Sequence, residues 1–252
     1  MPFAKLRKLM GAGRTDPPGD FDGARTATVY ESPPDPANAA INNAHSNIKD
    51  LAVPPPGDPP GPLSAVNLNS SRSDKETIHL ALAFDGVAPA YEPGASLELH
   101  TENDPAYVDD LLKIAGVTGD DALRTELVKT RDVTTLSLKT LENYASATGH
   151  HYVKALLADG EARQWIAGRQ LIDLIAQFPI ALDADKLRVL TRPLAQRAYS
   201  IAPSRKEVGD EAHLLVSAVR YDSHGRARKG VASGYVAERL KRGDKVRVKL
   251  KP

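Results

Sequence analysis

The chain has 252 residues, 33 Lys and Arg against 32 Asp and Glu, and no cysteine. That length admits one large or two modest domains, and 41% hydrophobic with 26% charged residues excludes a chain that is disordered throughout. The missing cysteines exclude disulfide frameworks, Cys-ligated zinc, iron–sulfur clusters and thiol nucleophiles.

From the N-terminus, MPFAKLRKLM is basic but lacks the apolar stretch and cleavage site of a secretory signal. No apolar run approaches the ~20 residues of a membrane helix. A soluble, cytoplasmic protein that binds no membrane is therefore expected. Twelve of the 19 prolines fall at or before Pro62, and Val53–Pro62 (VPPPGDPPGP) neither pairs as a central strand nor continues a helix. Residues 1–62 therefore read as a disordered tail and a Pro-rich linker. Gly11-Ala12-Gly13 has no strand before it, so it is not a dinucleotide loop.

After Pro62 the texture changes. Leu63–Asn69 and Thr77–Phe84 alternate apolar and polar residues in part and predict strands, and Tyr91-Glu92-Pro93-Gly94 is a turn before a short strand at Leu97–His100. Short connections make these three an antiparallel meander. Asp104-Pro105 then supplies an N-cap and a first-turn proline, Val108, Leu111, Leu112 and Ala115 share a face, and Gly116 closes that helix. Further helices are predicted at Leu136–Ala147, capped by Thr134 or Thr135, and at His151–Leu157, Ala162–Gln177 and Ala184–Leu190. Strand patterns return at Arg197–Ala202 and Ala212–Tyr221. A helix follows at Val231–Lys241, and the chain finishes on the strict alternation of Val246–Lys251. The sum is a mainly β plus α fold. Six strands in two groups of three are split by an all-helical insertion, and closing both groups into one antiparallel barrel would remove the exposed edges.

The near-neutral total hides a polarity. From Arg220 to Pro252 there are eleven Lys and Arg against three Asp and Glu, a net of +8, so the remaining 219 residues carry −7. A basic end suits an anionic ligand or partner, and equally a solvated face. Two short motifs lie in or near it. Arg197-Ala198-Tyr199-Ser200 places a cation and an aromatic ring on one strand face, which suits a phosphate beside a planar heterocycle, although an Arg and a Tyr on a strand are commonplace. Gly230-Val231-Ala232-Ser233 opens a helix with small side chains, where free N–H groups favour an anion; Arg226, Arg228 and Lys229 add positive potential.

Taken together, an Arg-x-Tyr-Ser strand, a strand ending in Arg220-Tyr221 and a Gly-x-Ala-Ser helix start resemble the FAD-binding domain of the ferredoxin–NADP reductase and diflavin reductase families. The resemblance narrows further. Residues 189–233, SDKETIHLALAF at 73–84, YEPG at 91–94, ENDPAYVDDLL at 102–112 and LENYA at 141–145 are similar to the flavoprotein (alpha) subunit of NADPH-dependent assimilatory sulfite reductase. It covers about residues 63–252, and implies a six-stranded flavin-binding barrel (63–101 and 195–252) interrupted by the helical insertion (102–194).

The resemblance also implies roles. Arg197 would pair with the FAD pyrophosphate, Tyr199 would pack on the isoalloxazine, and Ser200 would sit by its reactive edge, with Ala198 between them. Thr134 matches a cofactor contact from the insertion. Leu215, Val216 and Ser217 would line the cofactor along the next strand, and Tyr221 would face the adenosine half. Gly230, Val231, Ala232 and Ser233 would cradle the pyrophosphate. The cofactor would carry the redox chemistry, and no residue of this chain is assigned as catalytic. Implied partners are an FMN-carrying flavodoxin-like domain, an NADPH-binding domain and the sulfite reductase haemoprotein. Neither flanking domain is recognisable in the sequence, so this reading expects an oxidoreductase that is incomplete on its own. The alternative is a truncated, non-catalytic remnant acting as a folded interaction module.

Other motifs carry less. His150-His151 has no ligand-type residue three or four positions on, so no metal is expected. Asp109-Asp110, Asp120-Asp121 and Asp183/Asp185 read as helix caps and solvated faces, and Trp165 as packing in the insertion. With 5% aromatic residues and no RNA-reading motif, the basic end does not indicate nucleic acid.

Overall fold

In chain order the strands are β1 (Arg25–Tyr30), β2 (Thr77–Phe84), β3 (Ser96–Leu99), β4 (Arg131–Asp132), β5 (Arg192–Pro193), β6 (Arg197–Ser200), β7 (Glu211–Ser217), β8 (Arg220–Ser223), β9 (Arg226–Lys229) and β10 (Lys245–Lys251). The computed structural model describes residues 25–30, 69, 73, 75–84, 89–92, 94–202, 204–209 and 211–251. They fall into two units. One is drawn from residues up to 99, 198–217 and 239 onward; the other comprises 100–197 and 218–238.

The first unit is a six-stranded sheet in the order β6-β3-β10-β1-β2-β7. The β10–β3, β1–β10, β1–β2 and β2–β7 ladders are all antiparallel, with Val248 opposite Leu99, Ala27 opposite Val246 and Phe84, and Ile78 opposite Val216. Alternation puts Ile78, Leu80 and Leu82 of β2, Leu214 and Val216 of β7, and Val246 and Val248 of β10 into the core, all essentially inaccessible. On the other face of β2 and β7, His79 Nε2 lies 3.2 Å from His213 Nδ1, and His213 Nε2 lies 3.0 Å from Glu211 Oε2.

Three expectations change here. Thr77–Phe84 and Ser96–Leu99, expected as neighbours in a meander, are separated in the sheet by β1 and β10. Arg25–Tyr30 lies inside the stretch read as tail, yet it forms a strand between β10 and β2 with Ala27 and Val29 buried. Its RTATVY alternation is short and followed by prolines, so local pattern alone does not distinguish it from linker. The predicted strand at Leu63–Asn69 lies outside the described residues apart from Asn69. The expected closed barrel is also not formed as a continuous ladder. Among the described residues the end strands meet at the isolated bridge Ile201↔Leu214, beside which the Ala202 N–H donates to the His213 carbonyl at 2.9 Å.

The second unit is mostly helical. Pro105–Ala115 begins as expected, with Asp104 Oδ1 accepting from the Ala106 N–H at 3.0 Å, and ends at Gly116. Val108, Leu111, Leu112 and Ala115 are its buried face. A helix at Asp121–Lys129 is additional. It offers only Leu123, Leu127 and Val128 to the core, too few to give a clear apolar period, and is capped by Asp120. The next helix is Leu138–Thr148, and its cap is Ser137 rather than Thr134 or Thr135. Ser137 Oγ accepts from the Thr140 N–H at 3.1 Å in a capping box. His151–Ala158 and Ala184–Leu190 follow the sequence expectation, the latter capped by Asp183.

The single helix expected at Ala162–Gln177 is two, Ala162–Ile166 and Leu171–Gln177, separated at Gly168, whose φ of 71° is left-handed. Leu111, Leu123, Leu127, Leu141, Tyr144 and Leu171 make the centre of one continuous core. A two-residue ladder pairs β4 with β5, and β8 with β9 form a hairpin turning at His224-Gly225. The helix expected at Val231–Lys241 is a short α-helix, Val231–Gly234, continuing as a π-helical turn at Tyr235–Arg239.

Candidate functional site

β6 carries the Arg-x-Tyr-Ser motif. Arg197, Ala198 and Ser200 are exposed and Tyr199 is half-buried. Arg197 makes no ion pair with any of the described residues. On β7 the strand period turns Leu215 and Ser217 to solvent and buries Val216 completely. Val216 therefore holds the strand in its sheet, and any ligand contact it makes must come from its backbone. Leu215 is nearly half exposed and offers apolar surface to solvent. Ser217 Oγ lies 3.3 Å from Thr77 Oγ1 of the neighbouring strand.

In the helical unit, Thr134 sits on a carboxylate hub. Asp132 Oδ1 accepts from the Thr134 N–H, the Thr134 hydroxyl and the Thr135 N–H, each at 3.0 Å, and Oδ2 accepts from the Thr135 hydroxyl at 2.6 Å. Arg192 Nε adds a contact to Oδ2 at 3.1 Å, tying β5 to the same turn. Burial alone would raise the Asp132 pKa, but the hydrogen bonds from Thr135 and Thr134 outweigh it and hold the carboxyl below its ordinary value. The Thr134 hydroxyl is thus already donating, and only its lone pairs remain for a ligand. Sequence reasoning missed Asp132 and Arg192, because an Asx turn is recognisable only once the two short strands are seen to meet.

The Gly230–Ser233 turn is built by close approach. The Gly230 N–H donates to the Val219 carbonyl at 2.9 Å, and Ser233 Oγ accepts from the Val219 N–H at 3.1 Å. A Cβ added at Gly230 would fall 2.6 Å from Ser233 Oγ and 3.1 Å from the Val219 Cβ, so no larger residue fits without movement. Ala232 and Ser233 are buried, and Tyr221 on β8 is nearly half exposed.

The basic residues before this turn do not act as free charges. Arg228, almost fully buried, places Nη2 at 2.7 and 2.5 Å from the two carboxylate oxygens of Asp173, while its Nη1 donates to Gln170 Oε1 at 3.1 Å. Arg226 Nε lies 3.4 Å from Asp173 Oδ1. Lys229 Nζ and Arg220 Nη2 both reach Glu238, at 2.6 and 3.1 Å. Burial would raise the Glu238 pKa, but these two cations outweigh it and hold the carboxyl low. Arg226, Arg228 and Lys229 are therefore each paired, but four cations share two carboxylates, so the positive potential expected at the turn is reduced rather than abolished.

His150 and His151 stack on one another with ring centroids 5.6 Å apart, and His150 also packs on Phe178. Among the described residues no cluster of three or more His, Asp or Glu has metal-binding geometry, and no helix is long and apolar enough to cross a membrane. Trp165 packs against Phe178 with Arg169 4.7 Å over its ring.

No family model matches the chain. Individual proteins do. The sulfite reductase [NADPH] flavoprotein alpha-component of Bacillus subtilis (strain 168) is 39% identical over 197 residues, 72% of this chain and 33% of that protein. The protein of the same name from Baumannia cicadellinicola is 36% identical over 190 residues, 71% of this chain and 32% of its own length. That of Yersinia enterocolitica is 33% identical over 241 residues, covering 88% of this chain and 39% of the relative. The chain thus spans about a third of the length of the curated relatives it matches. Identity at this level, sustained across most of the chain, makes it a homologue of the sulfite reductase [NADPH] flavoprotein alpha-components.

Proposed function

We propose that residues 63–252 bind FAD and that the protein is an electron-transfer component of the sulfite reductase flavoprotein type. The observation that carries this reading is the 39% identity over 197 residues to a flavoprotein alpha-component. The side chains present fit such a ligand: Arg197 is exposed and unpaired among the described residues, Leu215 and Tyr221 offer apolar surface to solvent, and the turn at Gly230 leaves no room for a side chain. When bound, FAD would supply hydride acceptance from NADPH and stepwise electron release to FMN.

The chain's own residues would bind and orient that group. Arg197 would hold the pyrophosphate through a charge-assisted fork, with the backbone N–H groups of Val231, Ala232 and Ser233 completing the cradle and Gly230, its own N–H bound to Val219, keeping the approach free of a side chain. Tyr199 would cover one face of the isoalloxazine, with Ala198 leaving space beside it and Ser200 offering a hydroxyl at the ring's edge. Leu215 would contact the cofactor through its exposed side chain, Val216 through its backbone and Ser217 through its hydroxyl. Thr134 would accept a hydrogen bond, and Tyr221 would pack against the adenosine. In this reading the six strands correspond to the family's flavin-binding barrel. The protein works in the cytoplasm with an FMN-carrying flavodoxin-like domain, an NADPH-binding domain and the sulfite reductase haemoprotein.

The purified chain should be yellow, and the flavin released on denaturation should chromatograph as FAD. Arg197→Ala should weaken FAD binding by about 1.5–3 kcal/mol, the size of a lost charge-assisted contact. A colourless protein that takes up no added FAD would replace this reading with that of a folded module without redox function.

A further inference from the structure

We propose that Asp173 is a positioning residue for flavin binding: its buried carboxylate clamps the β8–β9 hairpin to the Leu171–Gln177 helix within the same unit and so sets Tyr221 and the Gly230–Ser233 turn. The inference rests on the FAD reading above. None of the residues assigned to the cofactor there is Asp173, Gln170, Arg226 or Arg228.

Three observations carry it. First, the clamp is a desolvated ion pair. The Arg228 and Asp173 side chains are 1% and 9% exposed, and a charge pair buried this deeply is kept by its geometry, because removing either partner strands the other away from water. Second, it is doubly supported at both ends. Gln170 joins Asp173 on Arg228, and Arg226, two residues earlier on the same face of β9, approaches the same carboxylate. The Gln170 N–H donates to Asp173 Oδ2 at 2.8 Å, fixing the carboxylate at the head of its helix.

Third, the hairpin is tied at its tip as well. Ser223 Oγ donates to the Gly168 carbonyl at 2.9 Å and His224 Nε2–H donates to the Ala167 carbonyl at 2.9 Å. The segment 167–173 therefore grips both the tip and the outgoing strand of the hairpin. Lys229 ends that strand, and the next residue is Gly230, whose N–H already binds Val219 before β8. A shift of the hairpin is passed directly to the turn that would take the pyrophosphate and to Tyr221. Positioning at the ångström scale is the usual role of a locked supporting shell around a binding site.

The test is FAD titration of the full chain by flavin fluorescence, with Tm measured on the same samples. Asp173→Asn should lower FAD affinity about tenfold or more. Leu123→Ala, a core truncation in the same unit, should lower Tm comparably and leave affinity within about twofold. Should Asp173→Asn fail to fold, Ser223→Ala decides the matter, with about a threefold loss of affinity expected from the freed hairpin tip. If the wild-type chain binds no FAD, the FAD reading itself fails. If wild type binds FAD, and the clamp variant that folds binds it as tightly as Leu123→Ala does, Asp173 is purely structural and the positioning role is overturned.

Discussion

The helical unit and the sheet unit solve the same problem, burying apolar surface, over different distances along the chain. In the helical unit four helices carry their own start signals: Asp104, Asp120, Ser137 and Asp183 each cap a helix within three residues, and Leu111, Leu123 and Leu141 meet in a core assembled from successive segments. In the sheet unit, β1 at Arg25–Tyr30 is flanked by β10 at Lys245–Lys251 on one side and β2 on the other, so its place depends on residues at the far end of the sequence. Local contacts cost little loop entropy and are written in local patterns, whereas long-range pairings are neither cheap nor locally visible.

The sheet unit is most vulnerable at β1. A chain beginning at residue 31 loses Ala27 and Val29 from the core and uncovers the edges of both β2 and β10, so the sheet unit should lose more than about 3 kcal/mol. Hydrogen exchange should show β2 and β10 deprotected while Pro105–Ala115 and Leu138–Thr148 stay protected. Equal protection in both units would mean that β1 contributes nothing.

A smaller effect tests the local side. Ser137→Ala removes one capping oxygen and should cost about 1 kcal/mol in urea denaturation, mostly recovered by Ser137→Asp. No change would show that the helix is fixed by packing alone.

The smallest effect concerns pH in the sheet. Burial and the neighbouring His213 hold the His79 pKa below the ordinary imidazole value. The unfolded chain then binds more protons than the folded one as pH falls, so this group's stabilisation is complete above its unfolded pKa and is lost as pH drops through the folded one. Tm should fall as pH drops below the ordinary imidazole pKa of about 6.5, and His79→Gln should flatten that slope. An unaltered slope would place the titration elsewhere.

Legibility followed the same division. The Pro105–Ala115 and Ala184–Leu190 helices and the strand Thr77–Phe84 were readable to the residue, because caps, glycines and alternation are local. The break at Gly168 was not, since an apolar run shows its period but not the hairpin that packs against its gap. Of the candidate site, the exposure of Arg197 and the tightness of the Gly230 turn agree with the residue types. The pairing of Arg226, Arg228 and Lys229 with Asp173 and Glu238 was hidden, because composition counts charges without saying which meet.

The position of β10 also bears on synthesis. On a translating ribosome, residues 100–197 emerge early and already contain most of their own core, so they can condense as they appear. β1, made before both of its partners, must wait with both edges unsatisfied until β2 and then Lys245–Lys251 arrive. During that interval its exposed ladder groups are open to pairing with another nascent chain, and slower elongation before codon 245 would lengthen the exposure.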